Sequence, residues 1–473
     1  MTRQELHATS ALAAVFATRL LGLFMIYPVF AAYARHLEGA TPEMIGLALG
    51  AYGLTQGLLQ IPFGLLSDRV GRKVVIAGGL ALFGVGSAVA ALSSSIEGVL
   101  IGRILQGMGA VGSVVLALIA DLTREEVRTR AMAIVGVTIG LAFVVAIAVG
   151  PLLAAVIGVP GIFWLTAALA LFGIAVTLLL VPTPPRVVRH RDAEAVPALL
   201  LRVLRDRELL RLDFAIFSLH AILTASFLAV PALLGRALHL GNAADWKLYL
   251  PVLAASIVLM VPAVLLAEKG SRMKEVFVAT IMVLAGSLLA LALGGASAIV
   301  VVAGLVLFFA AFNTMEAVLP SLITTTAPAG AKGTATGIYS SAQFLGIFFG
   351  GAVGGWALAT GGGGAVFGFT LAVALVWLAL AARMKRPGRY KSHIVPLSRE
   401  TAGAGSLAAL LQAVPGVVEA AIAPEEGVAY LKIDPSRFDA AAVARIAGAG
   451  ISAAVGADRM QAERRQATGG AEG

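Results

Sequence analysis

The sequence predicts an all-α membrane protein with twelve transmembrane helices in two six-helix bundles, followed by a small α+β domain. Three observations support this fold class. The 473-residue chain is 59% hydrophobic and only 13% charged, with a mean hydropathy of +0.93, whereas soluble domains carry about 25% charged residues. Its apolar residues form runs long enough to cross a bilayer. A charged stretch near residue 68 also returns in altered form near residue 268.

Twelve apolar segments are long enough to span a bilayer, which takes roughly 20 helical residues. Each is expected to be a helix, because lipid offers no partner for backbone N–H and C=O groups. The first is too long for a signal-peptide core and is expected to be retained. The segments are 10–34, 42–66, 74–92, 97–120, 131–157, 161–181, 212–236, 247–267, 275–294, 297–322, 332–359 and 364–383.

Positive charge predicts the orientation of the chain. Through residue 391, lysine and arginine concentrate at the two ends and in the even-numbered connections, whereas the odd-numbered connections hold only Arg35, Arg236 and Lys247. The positive-inside rule therefore predicts a multi-pass protein of the cytoplasmic (inner) membrane, with both termini and the basic 182–211 linker in the cytoplasm. This distribution explains the net charge of +9 without a nucleic-acid partner.

The chain contains an internal repeat. Residues 65–72 read LLSDRVGR and residues 265–272 read LLAEKGSR, with Asp68 opposite Glu268 and Arg72 opposite Arg272. Each stretch follows the second helix of a predicted set of six. The prediction is an N-terminal bundle at 1–181 and a C-terminal bundle at 212–385, joined by the 182–211 linker. Two repeats around a central site are a common transporter architecture.

The stretch 64–73, GLLSDRVGRK, matches the pattern G-x-x-x-D-R-x-G-R-K at every fixed position. In this register it resembles the motif between the second and third helices of the major facilitator superfamily, over residues 1 to about 385. The resemblance implies a cytoplasmic latch, in which Asp68 faces the N-terminal end of helix eleven and Arg72 pairs with Asp121. The alternative is that the charges only fix topology, and Lys73 is expected to be a solvated flank. The latch residues are Gly64, Asp68, Arg69, Gly71, Arg72 and Asp121.

Helix five carries GLAFVVAIAVGP, which ends at Gly150 and Pro151. This segment resembles the antiporter motif of proton-coupled drug exporters, although Ala154 and Ala155 stand where glycines are usual. Small residues allow close helix packing and a Gly–Pro pair bends the backbone. Ordinary helix packing is the alternative interpretation.

Ionisable side chains inside the predicted spans are few, and such residues are costly unless they have a function. Glu316 and His220 are predicted to carry proton coupling, because a carboxylate and an imidazole can both take up and release protons. The alternatives are a fixed hydrogen-bond or ion-pair role for Glu316 and a structural role for His220. Asp213 is best explained as an acid at the start of helix seven.

Polar residues on several predicted helices indicate a mostly neutral cavity, which suits an amphipathic or weakly cationic solute. For Arg19 and Arg103 the alternative is that they snorkel to an interface. The sequence shows no nucleophile–base pair, metal-ligand cluster or ATP-binding loop, so no enzyme, metal or cofactor is predicted and the energy source should be an ion gradient. The candidate cavity residues are Arg19, Tyr27, Gln56, Gln60, Arg103, Gln106, Asn313, Tyr339 and Gln343.

Residues 392–460 predict a separate cytoplasmic domain of order β-α-β-β-α-β. The strands are SHIVPL, VVEAAIA, GVAYLKID and ISAAV, and the helices are SLAALLQAVPG and SRFDAAAVARIAG. This order is ferredoxin-like. It resembles a heavy-metal-associated domain, but the loop TAGAG lacks the cysteine pair, so metal delivery is not expected. Residues 461–473 are predicted to be disordered.

A facilitator transporter with this appendage, and with an Asn and a Glu in helix ten, resembles the YajR-type carriers, which implies proton-driven export. The chain is therefore predicted to exchange protons for an unidentified small amphipathic solute by alternating access across the lipid bilayer. The alternatives are proton symport for uptake and a non-transporting membrane sensor. The C-terminal domain is expected to be regulatory or assembly-related, binding a cytosolic ligand or a second copy, unless it is a passive tail.

Overall fold

The computed structural model describes residues 1–183, 195–238, 246–268, 272–294, 297–386, 388, 390–397 and 404–448. The helices are α1 Arg3–Phe24, α2 Tyr27–Ala34, α3 Pro42–Val70, α4 Arg72–Leu92, α5 Ile96–Met108, α6 Gly112–Leu122, α7 Glu125–Leu179, α8 Pro197–Leu204, α9 Arg207–Leu238, α10 Trp246–Glu268, α11 Met273–Leu293, α12 Ala298–Thr326, α13 Lys332–Ala382, α14 Ala404–Gln412 and α15 Ala440–Gly448. The strands are β1 Lys391–Pro396, β2 Val417–Ala423 and β3 Val428–Ile433. The predicted last strand, the predicted disordered tail, part of the basic linker and Lys269 lie outside the described residues.

Ten helical stretches of the described chain are long and apolar enough to cross a membrane, against twelve predicted. Two of them are about twice the necessary length, because α7 has 55 residues and α13 has 51. Non-helical backbone interrupts α7 at Gly158 (φ +70°) and α13 at Gly361 and Gly362 (φ +65° at Gly362). These glycines lie where the sequence predicts connections between spans.

Both long helices double back at these glycines. The rings of Phe349 and Phe369 on α13 lie 5.9 Å apart, although 20 residues of straight helix would separate them by about 30 Å. On α7, Ala131 and Val176 belong to one apolar cluster with Leu12 of α1. The two arms of each long helix therefore lie alongside one another.

Local hydrogen bonds fix where several helices begin. The side chains of Thr41, Ser95 and Ser297 each accept a backbone N–H three residues further on, at 3.2 to 3.4 Å, as N-cap residues do. Asp206 accepts from the backbone N–H groups of residues 208 and 209. The helix α9 therefore begins at Arg207, five residues before the predicted boundary at 212, and the predicted linker itself contains α8.

A glycine turn separates α3 from α4. Gly71 has φ +106°, a conformation that side-chain-bearing residues rarely adopt, and its N–H donates to the carbonyl of Ser67. The glycine of the charged motif is thus required by the backbone, and it brings Arg72 back over the end of α3.

The two halves of the transmembrane region repeat one interaction between helices. Lys73 at the start of α4 donates to the carbonyl groups of Leu178 and Val181 at the end of α7 (3.2 and 2.8 Å). Lys274 at the start of α11 donates to the carbonyl of Ala382 at the end of α13 (2.9 Å). Cations favour the C-terminal ends of helices. Lys73 is therefore more than the solvated flank predicted for it.

The two halves meet along a glycine-lined seam between α3 and α13. A Cβ atom at Gly46 would lie 2.2 Å from the carbonyl oxygen of Gly351, and one at Gly53 would lie 2.3 Å from that of Phe344. At Gly64 the nearest neighbour is instead Ser113 of α6, at 3.4 Å. Backbone-to-backbone approach of this kind requires residues without side chains.

The C-terminal residues form a three-stranded antiparallel sheet of order β1-β3-β2. The apolar side chains of α14 and α15 cover one face of this sheet, where Leu407, Leu411 and Val443 pack on Leu431. The predicted strands and helices are present in this order as far as residue 448.

Candidate functional site

A hydrogen-bonded network surrounds Arg19 inside the N-terminal half. Its guanidinium Nη2 donates to the Tyr52 hydroxyl and to Oε1 of Gln56. Gln56 then donates through Nε2 to Oε1 of Gln60 (2.7 Å). Tyr52, Gln56 and Gln60 recur every fourth residue of α3, so they share one helix face. Arg19 is 3% exposed and does not snorkel to the interface.

Arg103 of α5 lies on the other side of Tyr52. Its Nε and Nη2 donate to the backbone carbonyls of Ala48 and Leu49 (both 3.3 Å). Its Nη1 donates to Oε1 of Gln106 (2.8 Å), which passes a hydrogen bond to Ser87 (2.8 Å). Arg103 is fully buried, with its guanidinium carbon 5.1 Å from the Tyr52 ring centre. It therefore does not snorkel outward either.

The C-terminal half contains a histidine and a carboxylate in contact. His220 Nε2 lies 3.6 Å from Oε1 of Glu316. Nδ1 of the same ring lies 3.2 Å from the carbonyl of Ile216, which can only accept, so Nδ1 carries the proton. Nε2 then accepts from the amide nitrogen of Gln343 (2.8 Å). The sequence-predicted pair is thus brought together, with Gln343 as a third member.

Glu316 is the less satisfied member of this group. Its Oε1 is buried and has no hydrogen-bond partner among the described residues, while its side chain as a whole is 31% exposed. The carboxylate therefore lies at the edge of an accessible space. A neutral His220 whose Nε2 is already an acceptor offers Glu316 no donor, so a proton arriving at either group would change the hydrogen bonding of both.

Three other predicted cavity residues lie nearby. Asn313 is one turn from Glu316 on α12 and donates to the hydroxyl of Ser256 on α10 (3.0 Å). The hydroxyl of Tyr27 lies 3.4 Å from the hydroxyl of Thr224. This hydrogen bond joins α2 of the N-terminal half to α9 of the C-terminal half. Tyr339 is buried on α13.

Asp213 does not occupy a helix N-terminus. It is the seventh residue of α9, beyond the first turn in which the helix dipole acts. It is buried, and neither carboxylate oxygen has a hydrogen-bond partner within the described ranges. The predicted explanation is wrong, because α9 begins earlier than its apolar pattern suggests.

The motif charges form a buried network at one end of the N-terminal half. Arg72 donates to Oδ1 of Asp68 (2.5 Å), to the hydroxyl of Ser67 (2.6 Å) and to Oδ2 of Asp121 (3.1 Å). The side chains of Arg72 and Asp121 are fully buried. The predicted pairing of Arg72 with Asp121 is thus present, whereas Arg69 is exposed.

Gly150 lies at a close contact between helices, and a role of Gly150 and Pro151 in bending α7 stays a prediction. A Cβ at Gly150 would lie 2.3 Å from the carbonyl oxygen of Met25, so this glycine permits contact with the chain between α1 and α2. The helical backbone of α7 continues through Pro151 and is interrupted only at Gly158. Close packing therefore accounts for Gly150.

The sheet of the C-terminal domain contacts the connection between α12 and α13. Glu419 of β2 accepts from Arg202 of α8 and from the backbone N–H of Ala329 (3.0 Å). Its cross-strand partner Lys432 donates to the carbonyl groups of Thr326 and Ala327 (2.9 and 3.2 Å). Burial lowers the pKa of the Lys432 ammonium, and the charge of Glu419 opposes that shift.

Sequence reasoning missed several members of these networks. Tyr52 links the two buried arginines, and its spacing of four from Gln56 could have identified it. Ser67, Ser87 and Ser256 carry no sequence signal, because a serine in an apolar helix is common and its partner is set by the neighbouring helix.

Comparison with known proteins identifies the class. The sequence matches the family model described as Major Facilitator Superfamily over residues 12–351. The chain therefore belongs to the major facilitator superfamily. It is 44% identical over 434 residues to the inner membrane transport protein YajR of Escherichia coli (strain K12), covering 92% of this chain and 95% of that protein.

One more distant sequence relative and one solved structure are also similar to this chain. The quinolone resistance protein NorA of Staphylococcus aureus (strain Mu50 / ATCC 700699) is 26% identical over 186 residues, which is 39% of this chain and 47% of NorA. The crystal structure of a bacterial homologue of the human lysosomal transporter Spinster, inward-facing and occupied, superposes with a TM-score of 0.66 at 14% identity. That superposition covers 81% of this chain and 96% of the Spinster homologue, and it shows the fold alone.

The family match and the similarity to YajR identify the chain as a multi-pass inner-membrane transport protein for a small molecule, and not an enzyme.

Proposed function

We propose that this protein is a proton-coupled exporter that exchanges protons for small amphipathic solutes by alternating access. The contact between Glu316 and His220 carries the proposal. A partly accessible carboxylate 3.6 Å from a buried imidazole can receive a proton from one side and release it to the other as the halves move. Export is supported by the likeness to NorA, which is named for quinolone resistance.

The architecture that we propose has twelve crossings. The doubling back of α7 at Gly158 and of α13 at Gly361 and Gly362 supports two crossings for each of these helices. The positive-inside rule then places both termini, and the Asp68 end of the bundle, in the cytoplasm. The Arg72 network lies at that end and would stabilise the cytoplasmic seam, with Asp68 directed at the start of α13 when that side closes.

We further propose that the C-terminal domain is ferredoxin-like and regulatory. The described order β-α-β-β-α with sheet order β1-β3-β2 fits that fold up to its last strand. Its sheet holds residues 326–329, directly before the helix that forms the seam. Ligand binding or self-association of this domain would therefore act on α13.

The test of proton coupling uses purified protein in proteoliposomes with an imposed pH gradient. A panel of amphipathic dyes supplies the probe, and proton flux is followed by an entrapped pH indicator. Glu316→Gln is expected to abolish dye-dependent proton flux, whereas the matched acid-to-amide change Glu275→Gln, at an exposed position of α11, should keep it. Dye-driven flux that persists in Glu316→Gln would exclude Glu316 from the mechanism. Accumulation in inside-out vesicles under either direction of the gradient separates export from uptake.

A further inference from the structure

The membrane interior of the N-terminal half contains two buried guanidinium groups, Arg19 and Arg103, and no described carboxylate contacts either of them. The acids of α1–α7 and their connections all lie close to helix ends. These acids are Glu5, Glu38, Glu43, Asp68, Glu97, Asp121, Glu125 and Glu126. A charge removed from water without a counter-ion is costly, so this half has a positive excess that its own side chains do not neutralise.

The two arginines differ in how well they are satisfied. Arg103 uses Nε, Nη1 and Nη2, each with its own acceptor. Arg19 makes both of its hydrogen bonds through Nη2, and its buried Nε has no partner among the described residues. Each nitrogen of the Arg103 guanidinium therefore has at least one acceptor, whereas the Nε of Arg19 has none among the described residues.

The neighbouring glutamines extend this set of donors. Because Gln56 Oε1 accepts from Arg19, its Nε2 must donate, and it does so to Gln60 Oε1. That orientation leaves Gln60 Nε2 as a donor at the end of the chain of amides. The charge of Arg19 thus fixes the orientation of the Gln56 and Gln60 side-chain amides. Arg19 and Gln60 then present N–H donors for which no described side chain supplies the acceptor.

Gly112 lies directly beside these donors. A Cβ atom at residue 112 would lie 3.3 Å from Gln60 Nε2 and 3.4 Å from Arg19 Nη1. Two donors that belong to different helices therefore converge beside Gly112, with Gln60 Oε1 3.6 Å from the same Cβ position, and a side chain at residue 112 would crowd them. An oxygen anion is the group that such a position favours, and charge-assisted hydrogen bonds are strongest in a site that excludes water.

We propose that Arg19, Gln60 and Gly112 form a binding site for an anionic group, a carboxylate, on the transported solute. This inference rests on the proposed transport function and deepens it: the solute is an amphipathic carboxylate, whereas the polar residues of the predicted cavity suggested an amphipathic or weakly cationic solute. The apolar body of the solute would lie toward Tyr52 and Phe344, whose rings are 6.1 Å apart across the seam.

The test compares compounds that share one apolar body. The full-length protein in nanodiscs is titrated with 1-naphthoate, 1-naphthamide and 1-naphthylmethylamine, and the rise in melting temperature gives the apparent affinity. The comparison is repeated with benzoate and decanoate and their amides. The wild-type protein is expected to bind at least one carboxylate about 30-fold or more tightly than its amide, the discrimination typical of a buried charge pair.

Two variants and two controls locate the effect. Arg19→Gln removes the charge, and Gly112→Ala keeps the charge but places a methyl group 3.3 Å from Gln60 Nε2 and 3.4 Å from Arg19 Nη1, so each should reduce the carboxylate preference to near unity. Arg35→Gln at an exposed position and Gly78→Ala, whose Cβ would meet nothing within 4 Å, should keep it. No carboxylate preference in the wild type, or one that survives in both Arg19→Gln and Gly112→Ala, overturns the proposal.

Measuring both proton flux and carboxylate preference in Glu316→Gln separates the anion site from the proton-coupling proposal. Glu316→Gln should lose proton flux and keep the carboxylate preference, because Glu316 is in the other half. A wild-type protein that prefers carboxylates but moves no protons would refute the coupling and leave the anion site standing. A carboxylate preference lost in Glu316→Gln and kept in Arg19→Gln would assign anion recognition to the C-terminal half and refute the site at Arg19.

Discussion

A single methyl group in the seam should alter the balance between conformations. In Gly46→Ala the new Cβ would lie 2.2 Å from the carbonyl oxygen of Gly351 and 2.7 Å from the Cα of Gly355. Ordinary contacts of this kind exceed about 3.4 Å, so α3 and α13 must separate by roughly 1 Å at this end. Overpacking of this size costs about 1–3 kcal/mol, and the cost falls only on the conformation in which this end of the seam is closed.

The expected result is a shift in population rather than unfolding. A change of about 1–3 kcal/mol alters a two-state equilibrium by roughly 5- to 150-fold, toward the conformation open at the Gly46 end. The chain has no cysteine, so spin labels at Thr41→Cys and Thr360→Cys, both exposed, report the separation of the two halves there. Electron–electron distance measurements should show a longer population in Gly46→Ala than in the parent.

Two comparisons make this prediction specific. Gly136→Ala adds a Cβ with nothing within 4 Å and should leave the distances unchanged. Gly350→Ala places a Cβ 2.2 Å from the carbonyl oxygen of Ala221 inside the C-terminal half, so it should lower the melting temperature instead. Unaltered distances in Gly46→Ala, with the protein still folded, would refute the assignment of the seam as the surface along which the halves separate.

Three further predictions concern the ends of the bundle and the C-terminal domain. Asp121→Asn removes one charge from the buried Arg72 network and should lower unfolding stability by about 3 kcal/mol; a melting temperature equal to that of the exposed Arg69→Gln control would contradict this. Lys432→Met removes two charge-assisted hydrogen bonds to residues 326 and 327 and should release the C-terminal domain, with about tenfold faster proteolysis between residues 387 and 390; an unchanged cleavage rate would argue against docking through β3. Hydrogen bonds from the Ser436 hydroxyl and backbone N–H lower the pKa of Asp434, so its stabilising contribution is present above the ordinary aspartate pKa and is lost as pH falls through the lowered value; in Ser436→Ala, NMR titration of Asp434 should move to higher pH, and an unmoved titration would exclude that cause.

The N-terminal motif shows how far sequence reasoning reaches. The resemblance of the motif implied an ion pair between Arg72 and Asp121, and the structure contains that pair. That pairing could be predicted because the motif fixes which residue follows the chain reversal at Gly71, where a positive φ favours glycine. Ser67, which also accepts from Arg72, could not be predicted, because its partner arrives only when the chain reverses at Gly71.

The C-terminal domain shows that alternation along a strand is not enough to predict which of its residues are buried. The apolar residues Ala429, Leu431 and Ile433 alternate along β3, which predicts that they face the domain's own core, and all three are buried. Tyr430 points to the other face and should be exposed by that pattern, yet it is 1% exposed, because it packs against Ala329 of the transmembrane region. A strand pattern carries no information about what a second part of the chain will cover.

The sequence by itself determined the solvent in which this protein folds, the spacing of its apolar helices and the family to which it belongs, since these depend on composition and on motifs read along the chain. Only the tertiary structure decided which hydrogen-bond partners the buried charged side chains have. Arg19 and Arg103 are both arginines in apolar helices, and they differ because one meets backbone carbonyls of α3 and the other meets a tyrosine and a row of glutamines. Hydrogen bonds act over about 3 Å, so their partners are fixed by how helices from distant parts of the sequence pack.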